Sequence, residues 1–325
     1  MVLSQTGCRR GTKPRSQIRR HVYRVFGFTV ESEIELPELA TAANTAPDVC
    51  VRFGNVPGTL VDQIGEWSWC SASRNEFAFT IDGVARYHVS QGKTITIERR
   101  LKPSEPIPAS DIRLWLLGSA FGALLHQRAL LPLHVSAVKA PAGIWAFTGG
   151  SGEGKSTLAG FLHKKFGWDL ISDDVSVLDT KIDHVSIYPG PRKLKLWADA
   201  LERLGFDDRP CLQDLSTTDK FQIYLADEQA VESAPLAGLV ILESSPADGG
   251  SAITKLNGVE AFNACLAAIY RPYMGAWFKL PHQRLAEIVN LCSSIEVYRF
   301  RRPRSLRNFR QNLGPLLDLI ARERS

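Results

Sequence analysis

Eight residues set the strongest constraint on this 325-residue chain. Gly149-Gly150-Ser151-Gly152-Glu153-Gly154-Lys155-Ser156 follows the pattern G-x-x-x-x-G-K-[ST] in full. The glycines let successive backbone N–H groups turn inward around phosphate oxygens. A helix starting at the end of such a loop points its positive end at the same phosphates. Lys155 is placed to reach β- and γ-phosphates, and the Ser156 hydroxyl to ligate magnesium. The flanks supply the context that a chance glycine turn lacks: Gly143–Thr148 reads as an apolar strand and Ser156–Phe166 as a helix. The expected ligand is ATP with Mg²⁺, for which Mn²⁺ can substitute, cradled by Gly149 to Ser156 and Thr157.

A tandem carboxylate follows at an informative distance. Asp173-Asp174 stands after the strand-like segment Trp168–Ile171, 18 residues beyond Lys155. In a strand–loop–helix–strand unit the second strand can lie beside the first, and its end then faces the phosphates. A carboxylate there can hold Mg²⁺ or accept a proton from an attacking hydroxyl. Neighbouring side chains on extended backbone point to opposite sides. One aspartate is therefore expected to face nucleotide and acceptor, and the other the ion's water or the protein. The bland alternative is a turn capping the next element. His134, in Pro132–Val138, is either a hydrogen-bonded core histidine or the start of a hairpin returning through Gly143–Thr148, which would bring it near the carboxylates. Gly190-Pro191-Arg192-Lys193-Leu194-Lys195-Leu196-Trp197 is a basic cluster after a tight turn. It suits either contact with an anion or a solvated start to a helix over Leu194–Leu204.

The rest of the chain reads as an α/β protein with a β-rich front. Residues 1–20 hold six basic groups, Arg9, Arg10, Lys13, Arg15, Arg19 and Arg20, and no acid. This is expected to be a disordered basic tail, and the remainder is near neutral, which argues against a nucleic-acid footprint. Val22–Val30, Asp48–Phe53, Glu76–Ile81, Ala85–Ser90 and Thr94–Glu98 read as strands of an N-terminal domain over 21–108. Pro103, Pro106 and Pro108 mark a connector, and Asp111 the N-cap of a helix to about Ala129, opening a nucleotide-binding domain over 109–325. Val175–Leu178, Leu239–Leu242 and Glu296–Phe300 follow as strands. Val259–Tyr270, Gln283–Ser293 and Ser305–Arg322 follow as helices. The six cysteines make no Cys-x-x-Cys pair, so reduced thiols are expected. Leu114–Leu125, the most apolar long segment, is too short to span a bilayer, and no secretory signal fits the start. A cytoplasmic protein without membrane contact is expected; an oligomer remains open.

The run from His134 through Gly149–Ser156 to Ser172-Asp173-Asp174 resembles the catalytic core of the HPr kinase/phosphorylase family. It is closer to the bacterial HPr-kinase-like proteins, including those encoded with lasso-peptide biosynthesis genes. Segments like Leu131–Ala137 and Tyr188–Trp197 recur in that subgroup. The match covers about residues 130–200, with a weaker one from Tyr23-Arg24-Val25-Phe26-Gly27 onward. The resemblance implies a phosphoenolpyruvate-carboxykinase-like P-loop nucleotide-binding core, with the β-rich N-terminal domain in front of it. It also implies transfer of the ATP γ-phosphate to a serine of a peptide or small protein. Asp173 and His134 would then be the acid/base pair, Lys155 would act on the transferring group, and Asp174 would join Ser156 at the metal. The family's downstream Glu-x-Arg-Gly segment is absent, and Gly190–Trp197 stands roughly in its place without the glutamate. The lasso-associated relatives imply a serine at the C-terminus of a precursor peptide, rather than HPr, as acceptor. Two rival readings are a small-molecule hydroxyl kinase and a non-catalytic nucleotide-binding regulator. The tandem aspartates, His134 and the large N-terminal half argue against the first.

Overall fold

Alternation builds the first half. Along Ala85–Ser90 the residues Ala85, Tyr87 and Val89 are buried and their neighbours less so, as in a strand with one face on a core. The computed structural model of the protein describes residues 19–43, 45–99, 107–180, 184–206, 208–209, 211–213, 219–225, 233–246, 248–305 and 308–322. Residues 1–18 of the basic tail, and Pro103 and Pro106, lie outside the described residues. The early strands are β1 (His21–Val25), β2 (Phe28–Ser32), β3 (Ala40–Thr41), β4 (Val49–Phe53) and β5 (Gly65–Trp67). They continue with β6 (Cys70–Ala72), β7 (Glu76–Ile81), β8 (Ala85–Ser90) and β9 (Thr94–Arg99). Among the described residues they form one sheet in the order β3-β1-β2-β4-β9-β8-β7-β6-β5. The single strand expected over Val22–Val30 is a hairpin instead. Phe26 and Gly27 take positive φ, 53° and 80°, the geometry of a tight two-residue turn. Gly27 is needed there twice over, because a Cβ would also come within 2.6 Å of the Tyr188 ring.

A helical segment then covers this sheet. Helix α1 (Ala109–Trp115) passes through a π-helical turn at Leu116–Ala120 into α2 (Phe121–Gln127). Pro108, not Asp111, occupies the N-cap; Asp111 sits in the first turn, where its charge still favours the helix dipole. Ile112, Leu116, Phe121 and Leu124 are buried in the same core as Tyr87, Val89 and Ile95. The Tyr87 hydroxyl donates to the Ile112 carbonyl at 3.0 Å. Glu38 ties this region to the second half: it accepts from Arg113 Nε at 2.7 Å, and its carbonyl accepts from the Arg192 N–H at 3.0 Å.

The second half is another nine-stranded sheet with helices packed on it, making the whole a mixed α/β fold. Its first elements are β10 (Leu131–Leu133), β11 (Ser136–Ala140), β12 (Gly143–Thr148), α3 (Lys155–Phe166), β13 (Asp169–Ser172), β14 (Ser176–Asp179) and β15 (Ser186–Tyr188). There follow β16 (Lys193–Trp197), α4 (Ala198–Leu204), β17 (Cys211–Gln213), β18 (Lys220–Tyr224), β19 (Ala234–Ser245) and β20 (Ala252–Leu256). The chain continues with α5 (Gly258–Ala267), α6 (Pro272–Phe278), α7 (Pro281–Ser294), β21 (Glu296–Pro303), α8 (Phe309–Asn312) and α9 (Gly314–Ile320). The main order is β10-β14-β15-β19-β12-β11-β13, with β21 also on β19, β20 on β21, and β16-β18-β17 as a separate small sheet.

Three expectations are corrected here. The strand after the phosphate loop does not lie beside β12, because β11 intervenes. Since β12 and β13 both pair antiparallel with β11, they still run the same way and end at one edge. Leu194–Leu204 is not one helix: Lys193–Trp197 is a strand, with Leu194 and Leu196 fully buried, and only Ala198–Leu204 is helical. Ser305–Arg322 is broken as well, since Pro315 lacks the N–H that a continuing helix needs and α9 restarts at Gly314. The helix α6 has no counterpart among the expected elements. Cys50, Cys70, Cys211, Cys265 and Cys292 are free thiols. Among the described residues no helix is long and apolar enough to cross a membrane.

Candidate functional site

The phosphate loop leaves β12 and enters α3 through three glycines at positive φ: Gly149 (147°), Gly152 (83°) and Gly154 (80°). Such values are open to glycine without the Cβ penalty that other residues meet. At Gly149 a Cβ would also lie 2.7 Å from the Leu242 carbonyl oxygen on β19. The Lys155 ammonium folds back onto the loop and donates to the carbonyls of Gly149 at 2.9 Å and Gly150 at 3.3 Å. Burial lowers its pKa, against the pull of Asp173 and Asp174. Ser151, Gly152, Gly154, Lys155, Ser156 and Thr157 all line one cavity of about 200 Å³.

Glu153 points away from the phosphate side and anchors the loop. Its carboxylate accepts from Ser244 Oγ at 2.7 Å and pairs with Arg304 Nη2 at 2.5 Å. Arg302, which is buried, donates from Nη2 to the Glu153 carbonyl at 3.1 Å. The two arginines and Ser244 come from the ends of β19 and β21, strands remote in sequence. No motif marks them, and sequence reasoning missed them.

The aspartates occupy the bend after β13, at the edge where β12 also ends. Asp173 continues inward and is 2% exposed. Its Oδ1 accepts from Ser136 Oγ at 2.5 Å and its Oδ2 from the Lys195 N–H at 2.8 Å. Burial pushes its pKa up, helped by the charge of Asp174, while the bonds from Ser136, Lys195 and Ser156 pull it down without prevailing. Asp174 has φ of 79°, a left-handed conformation that aspartate tolerates better than most residues. This turns its carboxylate the other way, to Lys195 Nζ at 2.9 Å. Burial works against its charge, yet Lys195 and His134 together hold it well below the usual carboxylate range. The pair thus divides, Asp173 held by Ser136 and the Lys195 N–H and Asp174 by the Lys195 ammonium, and both line the cavities beside them.

His134 immediately precedes β11, whose hairpin with β12 carries it to the site. Its N–H donates to the Ala268 carbonyl at 2.7 Å, and its carbonyl accepts from Thr148 Oγ1 at 3.2 Å. The resemblance implies a partnership with Asp173, but His134 Nε2 meets Asp174 instead, at 3.6 Å from Oδ1. The cause is the bend, which sends Asp173 inward and Asp174 outward. Burial lowers the His134 pKa more than Asp174 raises it.

Beyond the aspartates lies a second cavity, of about 340 Å³. It shares His134, Asp173, Asp174 and Lys195 with the loop cavity. Its other walls include Trp115 and Ser119 from the helical segment, Lys193 on β16, and Tyr270-Arg271 before α6. Lys193 is buried and Lys195 is bound to both aspartates, so the basic cluster is not a solvated helix start. The hard oxygen donors of Asp174 and the Ser156 hydroxyl, both on the loop cavity, suit Mg²⁺. Among the described residues no group of three or more His, Cys, Asp or Glu could hold a metal by itself, so an ion here would draw most of its ligands from phosphate and water.

No protein-family model matches the chain, and no curated protein matches it. Among solved structures it is similar to the HPr(Ser) kinase/phosphatase from Coxiella burnetii, at 13% identity and a TM-score of 0.28, over 58% of this chain and 92% of that one. An overlap of that size carries no functional inference.

Proposed function

We propose that the protein is an ATP-dependent serine kinase acting on a peptide or small protein, and that its second half is a phosphoenolpyruvate-carboxykinase-like nucleotide-binding core. One observation carries this reading: a phosphate-loop cavity and a second cavity meet across Asp173, Asp174, His134 and Lys195. A donor and an acceptor can thus approach each other across a carboxylate pair. In the proposed reaction the acceptor hydroxyl oxygen bonds to the γ-phosphorus, the bond from that phosphorus to the bridging oxygen of ADP breaks, and the hydroxyl proton passes to Asp173. Asp173 is the better base because its pKa is raised, whereas Asp174 stays ionised; environments that drive two carboxylates apart divide the acid/base work. Asp174 and Ser156 would hold Mg²⁺, which supplies charge neutralisation of the phosphates when bound. Lys155, freed from the Gly149 and Gly150 carbonyls, would take up the growing charge on the transferred group.

The second cavity holds about 340 Å³, a volume that suits the end of a chain better than its middle. A serine at a chain terminus fits, as the lasso-associated resemblance implies; a small-molecule hydroxyl is the second reading that the same enclosure allows. Labelled ATP offered together with a peptide ending in serine, a sugar panel and water separates the readings. Label on the peptide supports the proposal, label on a sugar replaces the substrate, and release of phosphate alone replaces kinase by ATPase.

A further inference from the structure

The second cavity holds more positive charge than its own residues neutralise. Lys195 is paired with Asp174. Lys193, 5% exposed, hydrogen-bonds a neutral group, the Gln222 side-chain carbonyl at 3.2 Å, while the carboxylates of Asp174, Glu38 and Asp173 act on it without forming an ion pair. Arg271 donates from Nε to the Tyr270 hydroxyl at 3.0 Å and from Nη1 to the Tyr273 hydroxyl at 3.1 Å, both neutral groups. Among the described residues neither cation meets a carboxylate within ion-pair distance. Removing a charge from water without a counter-ion is costly; Lys193 is buried in this way, and half-buried Arg271 lines the same cavity, so together they offer a place for a counter-ion from outside.

Two further features of the same wall agree. The Ser119 hydroxyl is fully buried and has no hydrogen-bond partner, although buried polar groups are almost always paired. It sits on the π-helical turn Leu116–Ala120, a distortion found mostly at functional sites. Arg271 has φ of 45°, a left-handed conformation costly for a side chain of its size, and it thereby caps α6 at the cavity mouth. The apolar side, from Leu114, Trp115 and Leu117, leaves room for the aliphatic part of a small group.

We infer that this cavity binds the acceptor through an anionic group of its own, a carboxylate held by Lys193 and Arg271 with a hydrogen bond from Ser119, so that the neighbouring hydroxyl lies against the aspartates. The inference rests on the kinase reading for calling the ligand an acceptor, but the anion site is testable without catalysis. Two cations separated by neutral donors suit a flat two-oxygen group, and Arg271 can offer parallel N–H donors to it. A phosphate monoester presents the same chemistry, and the test separates the two.

The full chain carrying 5-fluorotryptophan would be followed by fluorine NMR, with the Trp115 resonance assigned through Trp115→Phe. The probes are N-acetylserine, N-acetylserine amide and inorganic phosphate. The expected result is a saturable shift with N-acetylserine, at least ten-fold weaker for the amide, and abolished in Lys193→Met and in Arg271→Met. Tighter binding of phosphate than of N-acetylserine would keep the anion site and reassign its occupant to a phosphorylated acceptor. Equal response to acid and amide, no response to any probe, or full response in folded Lys193→Met and Arg271→Met would overturn the inference. The kinase reading fails separately, if the wild-type chain binds these probes but transfers no phosphate.

Discussion

Lys195 holds Asp174 by its ammonium at 2.9 Å from Oδ2, while its own N–H holds the neighbouring Asp173 at 2.8 Å. One residue of β16 therefore sets the position of both carboxylates, and its side chain keeps one of them charged. Lys195→Met leaves the backbone bond and removes the ammonium. The folded pKa of Asp174 lies below its ordinary 3.8, so its contribution to stability is present above about pH 4 and is lost as pH falls through the depressed value. The variant should lose about 1–3 kcal/mol at pH 7 by denaturant titration, with the difference from wild type shrinking below pH 4. A difference that stays constant into acid would show that the pair does not set the Asp174 titration.

The two aspartates should separate kinetically. Asp173→Asn can keep the bond from the Lys195 N–H on its amide oxygen while its NH2 donates to Ser136 Oγ in place of accepting from it; it removes basicity, and should lower turnover by about 100-fold or more with little change in ATP affinity. Asp174→Asn should instead raise the Mg²⁺ concentration required. His134→Ala, through Asp174, should move the pH–rate profile less than Asp173→Asn does. Full turnover with weakened Mg²⁺ dependence in Asp173→Asn would reverse the roles.

The loop has an inner and an outer anchor. Lys155→Ala should nearly abolish transfer while leaving the unfolding midpoint unchanged, because the ammonium acts on charge that develops during transfer. Glu153→Gln breaks the pairing with Arg304 and loosens the loop from outside. It should raise the Kd for ATP about 3–10-fold, roughly 1 kcal/mol, without abolishing turnover. Calorimetric titration with a non-hydrolysable ATP analogue measures both, and unaltered affinity in Glu153→Gln would mean that the loop holds its shape unaided.

Lys193 should be a cost to the fold. Burial first, then the charge of Lys195, push its pKa down to about 8, with Asp174, Glu38 and Asp173 acting the other way. A lysine lowered from 10.5 to about 8 destabilises the folded state fully below pH 8, and the penalty fades as pH rises toward its unfolded value. Lys193→Met should therefore stabilise the protein by about 2–3 kcal/mol at pH 7 and by little near pH 10.5. Destabilisation at pH 7 would identify Lys193 as a structural lysine.

Much of this could be read from local pattern. The conformation of the glycine loop was legible because it depends on glycines at set positions. The return of Asp173-Asp174 to the edge where β12 ends was legible because a short helix and strand leave the chain few ways back. Runs of β-branched and aromatic residues between turn residues likewise marked β7, β8 and β9, and the hairpin that carries His134 toward the carboxylates was among the readings of its segment. The alternation in Lys193-Leu194-Lys195-Leu196 was overlooked for a helix, since four residues of strand beside a true helix, α4, look like its first turn.

What stayed hidden depends on contacts between segments far apart in the chain. That β11 separates β12 from β13, that Asp174 rather than Asp173 meets His134, and that Arg302 and Arg304 grip Glu153 follow from pairings over many residues and from one backbone angle at the bend. The second cavity is the clearest case. Ser119 and Arg271 carry no motif and read alone as a helix serine and a loop arginine, whereas Lys193 stood in the basic cluster that suited either an anion or a helix start. Packing of the helical segment against β16 and the turn before α6 brings the three to one cavity, with Ser119 and Lys193 buried. Local sequence encodes conformations and short-range chemistry, whereas desolvation and charge balance are properties of an enclosed volume and arise when the chain closes around it.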